Sequence, residues 1–75
     1  MHEFPKFPQR LKSLRLAAEL TQKQLAETIG ASERGIQNYE TGVRLVDTRT
    51  LVKLSTYFNV SADYLLGLSD DPERR

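Results

Sequence analysis

Thr21 and Ser32 each precede a helical stretch and Gly30 stands between them, and this punctuation constrains the fold more than any other feature of the chain. Thr21 followed by Gln24 is a capping box: the threonine hydroxyl accepts from the amide three residues on, and the glutamine reaches back to the threonine amide. Leu25, Ala26 and Ile29 recur at helical spacing and supply one apolar face. Gly30 stands where a helix ends by turning left-handed, the conformation that costs glycine least. Ser32 caps a second helix, on which Ile36 and Tyr39 share a side. Two short helices, about Gln22–Ile29 and Glu33–Thr41, are thus expected to meet through a tight turn containing glycine.

The flanks extend the pattern. Pro5 and Pro8 deny a continuous helix to residues 1–7, an irregular segment whose first residues fray and whose Phe4 and Phe7 fold back as a lid on the core. Pro8 suits the first position of helix 1, which turns Leu11, Leu14 and Ala18 inward, keeps Lys12 and Glu19 outside, and ends near Leu20. Gly42 stops helix 3, and residues 43–46 form a loop. Asp47 is an N-cap for helix 4, with Leu51, Leu54, Ser55 and Phe58 on one face and Asn59 as a left-handed end. Ser61 caps a short helix 5, Ala62–Leu66, closed by Gly67. The expected architecture is all-α: a compact five-helix domain over residues 1–68, then a polar, disordered tail over 69–75.

Several functions are excluded at this level. Seventy-five residues make one small domain, and without cysteine there is neither a disulfide framework nor a thiolate metal site. No apolar run approaches the roughly 20 residues that span a bilayer, and nothing resembles a signal peptide, so a soluble cytoplasmic protein without a membrane partner is expected. His2, the single histidine, sits in the frayed terminus, and Asp70 with Asp71 reads as solvated tail. No nucleophile, base and orienting group form a set, and there is no glycine-rich phosphate loop. An enzyme, a metal, a cofactor and a small-molecule substrate are therefore not expected. The net charge of +1 and pI near 8.1 fall short of the pI above about 9 that marks an electrostatic nucleic-acid binder, so any such argument rests on where the charges sit.

Leu20-Thr21-Gln22, Leu25-Ala26, Ile29-Gly30-Ala31-Ser32, Ile36 and Tyr39-Glu40-Thr41-Gly42 form an ordered series. With Leu11-Lys12-Ser13-Leu14-Arg15 and Val60-Ser61-Ala62-Asp63-Tyr64-Leu65-Leu66-Gly67, it resembles the phage-repressor and Cro-like (XRE) helix-turn-helix family over roughly residues 9–67. The resemblance implies a repressor-like DNA-binding domain with the helix-turn-helix at helices 2 and 3, and double-stranded DNA as partner.

On helix 3, Arg34 and Asn38 lie almost opposite Ile36 and Tyr39, bordered by Gln37 and Glu33, with Gly35 on the other border. Arginine can grip a guanine edge with two bonds, and asparagine or glutamine an adenine edge. The resemblance aligns these positions with the family's base-reading residues. Glu33 either accepts from a cytosine amino group or serves the positive end of its helix. Gly35 either permits close approach to the duplex or is tolerated drift. Gln22 starts helix 2, where open amides can hold a phosphate, and the family uses the matching glutamine so. Lys23, Thr41, Val43 and Arg44 are further backbone candidates; Arg10 and the N-terminal segment, as a mobile arm, are weaker ones.

The resemblance also aligns Arg15 and Glu40 with a pair that bridges helix 1 to the end of helix 3. The chain departs from the family at Val46, where proline is common, and at Arg49, where an acidic residue is; Arg49 opposes the helix dipole and points to a nearby anion. Tyr57, Tyr64 and Leu68 are expected to form an apolar patch, in the region where the resemblance implies a two-fold contact. The functional expectation is a homodimeric repressor on an inverted repeat. The second class left open is a protein-interaction module, an antitoxin-like or anti-repressor partner whose main ligand is another protein.

Overall fold

A computed structural model describes residues 4–74. Among them the chain forms α1 (Phe7–Ala17), α2 (Gln22–Ile29), α3 (Glu33–Thr41), α4 (Thr48–Phe58) and α5 (Ala62–Leu66), and no strand. None of these helices is long and apolar enough to cross a membrane. The fraying expected of residues 1–3 and the idle role given to His2 lie outside the described residues.

The expected caps close α2 to α5. Thr21 Oγ1 accepts from the Gln24 amide at 3.0 Å while Gln24 Oε1 accepts from the Thr21 amide at 2.9 Å, completing the box. Ser32, Asp47 and Ser61 accept from the amides of Gly35, Thr50 and Tyr64. Gly30, Gly42, Asn59 and Gly67 end their helices in the left-handed region. Each such cap typically stabilises a helix by about 1 kcal/mol, so their agreement specifies the boundaries.

Helix α1 differs from expectation at both ends. It begins at Phe7, with Pro8 one position further in, and no side chain caps it. Phe7 is therefore no irregular lid: it is fully buried and meets Tyr39 of α3 edge-on, with centroids 6.2 Å apart. Phe4 packs against the core as expected. The helix stops at Ala17 because Glu19 turns left-handed at φ 59° without being glycine. Arg15 holds that turn from both sides. Its carbonyl accepts from the Leu20 amide at 3.1 Å, and its Nη1 donates to the Leu20 carbonyl at 2.8 Å. Ala18, expected inward, is left exposed past the helix end, and Arg15 joins Leu11 on the buried side.

Every helix sends at least one wholly buried side chain to a common centre: Phe7 and Leu11, Leu25, Ile36, Leu54 and Leu65. Burial of a side chain of this size stabilises by roughly 1.5–3 kcal/mol. Ser55, the polar member of the inward face of α4, donates to the Val60 carbonyl at 2.6 Å, so its burial leaves no hydroxyl unsatisfied.

The tail is the largest departure. It was expected to be disordered, yet its first residues fold back. The Ser61 amide donates to the Pro72 carbonyl, and Arg10 donates to the Ser69 carbonyl and to Asp70. Gly67 permits the approach: its φ is +81°, and a Cβ there would lie 2.7 Å from Lys6 Cβ.

Candidate nucleic-acid interface

Helix α3 is amphipathic, with a buried back and an exposed front. Gly35, Ile36 and Tyr39 are buried; Glu33, Arg34 and Gln37 are exposed, and Asn38 is half-buried beside them. No hydrogen bond or ion pair among the described residues engages these four outward side chains. The helix is thus held by its back and leaves its front free. Gly35 is buried, and a Cβ there would sit 3.1 Å from Ser32 Oγ, so the cap would have to give by a few tenths of an ångström.

The loop after α3 is pinned to that helix. The Asn38 carbonyl accepts from the Val43 amide at 3.0 Å, from the Arg44 amide at 3.3 Å and from Thr41 Oγ1 at 3.3 Å. Thr41, Val43 and Arg44, all exposed, are therefore carried as one ledge at the C-terminal end of α3. Arg44 places its guanidinium 5.9 Å from the Tyr39 ring centroid, a face that attracts cations. Beyond it, Asp47 supplies the anion expected near Arg49. The Thr50 amide, hydrogen-bonded to its carboxylate, holds Asp47 below the usual aspartate value, with Arg44 and Arg49 adding attraction.

At the start of α2 the capping box satisfies the Gln24 amide, which leaves the first amides, those of Gln22 and Lys23, outside the helix ladder. Lys23 is exposed and Gln22 half-buried. The Gln22 Nε2 donates to Glu40 Oε1 at 3.1 Å, a link the sequence reading did not find. Glu40 also receives Arg15: Nε to Oε2 at 2.7 Å and Nη2 to Oε1 at 3.1 Å. The expected bridge is thus present and two-pronged, with side-chain exposures of only 9% and 3%. The hydrogen bond to Glu40 raises the Arg15 pKa above its ordinary value, against the opposing effect of burial. One carboxylate at the end of α3 therefore ties together α1, α2 and α3.

Arg10 and Tyr64 meet each other. Arg10, a weaker phosphate candidate, is occupied elsewhere. It donates to the carbonyls of Tyr64 and Ser69 and to Asp70, and its guanidinium lies 4.1 Å from the Tyr64 ring centroid. Complementary charge at Lys6, Arg10 and Asp70 was the available signal. Tyr64 is in consequence half-covered, whereas Tyr57 and Leu68 are exposed at 43% and 67%. Tyr57 meets Phe58 edge-on and lines a shallow groove of about 410 Å³ with Ile29, Val52, Thr28, Lys53 and Thr56.

Residues 11–65 match the family described as helix-turn-helix. The chain is 50% identical over 58 residues to the HTH-type transcriptional regulator ImmR of Bacillus subtilis, covering 77% of this chain and 46% of that protein. It is 37% identical over 62 residues to the cryptic phage CTXphi transcriptional repressor RstR of Vibrio cholerae, covering 83% and 55%. The HTH-type transcriptional activator BcrR of Enterococcus faecalis is 37% identical over 60 residues, which are 80% of this chain but 29% of BcrR. The chain spans about half the length of ImmR and of RstR.

Proposed function

The chain belongs to the helix-turn-helix family, in its phage-repressor (XRE) type, and from that premise we propose that it is a sequence-specific DNA-binding transcriptional regulator, a repressor that occupies an inverted-repeat operator as a homodimer. The observation that carries this reading is the front of α3. Arg34, Gln37 and Asn38 stand together without side-chain partners among the described residues, on a helix whose back is fixed by Ile36, Tyr39 and Glu40. Side chains of these types match base edges in the major groove, and a rigid helix presents them without an ordering cost at the moment of binding. Glu33 at the same front can accept from a cytosine amino group. Gln22 and Lys23 at the start of α2, and Thr41, Val43 and Arg44 after α3, flank that front as phosphate holders. On this reading the protein works in the cytoplasm and carries out no catalysis, in keeping with a family of regulators.

Repression is favoured because a protein bound at a promoter occludes it without further contacts, and the relative RstR is a transcriptional repressor. The domain measures 28 Å along its longest axis. Two copies on half-sites about one helical turn, roughly 34 Å, apart therefore sit side by side without overlap. Tyr57, Tyr64 and Leu68 are the residues proposed to meet across the two-fold axis; Tyr57 and Leu68 are exposed and Tyr64 is half-covered.

Selection of bound sequences from random duplex DNA tests the reading, followed by affinities on the selected duplex and a scrambled one across a salt series. Arg34→Ala is expected to cost about 1–3 kcal/mol on the selected duplex and relax preference at one base pair, with little loss on scrambled DNA. Arg44→Ala is expected to weaken both equally and lower the salt slope by roughly one unit. Equal loss on both duplexes for Arg34→Ala would mean that α3 does not read sequence. A chain that stays monomeric on the selected duplex at saturation would remove the homodimer.

A further inference from the structure

We propose that Glu40 is a positioning residue for DNA binding: beyond bridging to Arg15, it sets the side chain of Gln22 in advance of contact with a phosphate. The inference rests on the DNA-binding reading above and adds to it a residue that touches no DNA.

The geometry begins with acceptor accounting. An ionised carboxylate only accepts, so the Gln22 amide must turn its NH2 side toward Glu40; the flipped amide would set oxygen against oxygen. Glu40 Oε1 receives Gln22 Nε2 and Arg15 Nη2, each at 3.1 Å, and Oε2 receives Arg15 Nε at 2.7 Å. With its side chain 3% exposed, Glu40 cannot exchange these partners for water at little cost. The Gln22 amide is therefore held at both its position and its face. Its second N–H has no partner among the described residues, and the main-chain N–H of Gln22 stands outside the α2 ladder. Arg15 gives three of its five N–H groups to Glu40 and the Leu20 carbonyl, and with its side chain 9% exposed it holds Glu40 from the interior side. The ordering of a long glutamine side chain, otherwise incurred on binding, is accomplished when α1, α2 and α3 pack.

Such a role predicts coupling. Gln22→Met keeps the shape of the side chain and removes its hydrogen bonds. Glu40→Gln leaves an acceptor for Arg15 but no longer dictates the amide face. Each single variant is expected to lower affinity about three- to tenfold, the size of one neutral hydrogen bond, by the same factor on selected and scrambled duplexes. The double variant is expected to be no weaker than the weaker single one, with the salt slope unchanged throughout. Losses that multiply in the double variant overturn the positioning role, as does a Glu40→Gln loss confined to the selected duplex, which would report a tilted α3. Wild-type protein that retains neither duplex overturns the DNA-binding reading and this inference with it. One measurement needs no variant. In the free wild-type protein the two Gln22 side-chain amide protons are expected to be widely separated in the NMR spectrum and slow to exchange with water. A pair with the shifts and exchange of a free glutamine overturns the proposal.

Discussion

Arg15 and Arg10 leave the same helix, and each meets a carboxylate from far along the chain, yet the two contacts differ in where the carboxylate lies. Glu40 is buried with Arg15, at 3% and 9% side-chain exposure, whereas Asp70 stands 81% exposed against an Arg10 that is 16% exposed. Glu40 has exchanged water for Arg15 and Gln22 and holds no cheap substitute. Asp70 keeps its water, so its attraction to Arg10 is weakened by the solvent that bathes it. Arg10 instead draws its hold from two main-chain carbonyls and the face of Tyr64. The same pair of functional groups thus ties α3 to α1 in one place and meets the start of the tail in the other.

Breaking the buried contact is expected to have the largest effect. Arg15→Ala or Glu40→Ala strands a charge in the interior and should cost about 3–5 kcal/mol, measured by denaturant unfolding. Replacing both together, Arg15→Met with Glu40→Leu, should cost much less. A double-mutant cycle with additive losses below about 0.5 kcal/mol would place Arg15–Glu40 in the same class as the exposed pair and dissolve the contrast.

The two arginines also mark how far the chain could be read before folding. Helices α2 to α5 were legible to their ends because each end carries its own chemistry: Thr21 and Gly30, Ser32 and Gly42, Asp47 and Asn59, Ser61 and Gly67. Helix α1 lacks such marks. Its end is made by Glu19 in a left-handed turn that Arg15 secures through Leu20, a tertiary solution that no local preference announces. The outward set of Arg34, Gln37 and Asn38 followed from helical periodicity, and the Arg15–Glu40 pair from the family resemblance. Gln22 meeting Glu40, and Arg10 meeting Tyr64 and Ser69, did not follow, because a long-range pairing leaves no periodic trace. Arg10 stands among the weaker phosphate candidates in the sequence for that reason: a sequence shows a charge, not its partner.

The second effect in size belongs to Arg10. Arg10→Ala removes two charge-assisted bonds to carbonyls and a cation over an aromatic ring, and is expected to cost about 1–2 kcal/mol. Arg10→Lys should recover only part of it: one ammonium can stand in for Nη1 at the two carbonyls, but it lacks the Nη2 that meets Asp70 and the planar group over the Tyr64 ring. Hydrogen exchange at the Leu68 and Ser69 amides, which donate to the Asp63 carbonyl, should accelerate in both variants. Full recovery by lysine would assign the contact to charge alone and bring it closer to a simple ion pair.

Asp70 should give the smallest effect, and its sign with pH is definite. The Arg10 hydrogen bond, aided by Lys6, lowers its pKa below the ordinary 3.8. A carboxylate lowered on folding contributes stability above its unfolded pKa and loses it as pH falls through the folded one. Wild type should therefore exceed Asp70→Asn at neutral pH in low salt, and the difference should vanish on acidification below 3.8. It should vanish as well near 1 M salt, where the screening length falls to about 3 Å. Comparing wild type with Asp70→Asn, rather than following wild type alone, removes Asp47, which is lowered in the same range by its cap bond to Thr50. Thermal midpoints of the two proteins across pH and salt make the measurement. A difference that survives high salt, or that matches the loss in Arg10→Ala, would show that Asp70 shares the burial of Glu40 in solution, and the distinction between the two arginines would fail.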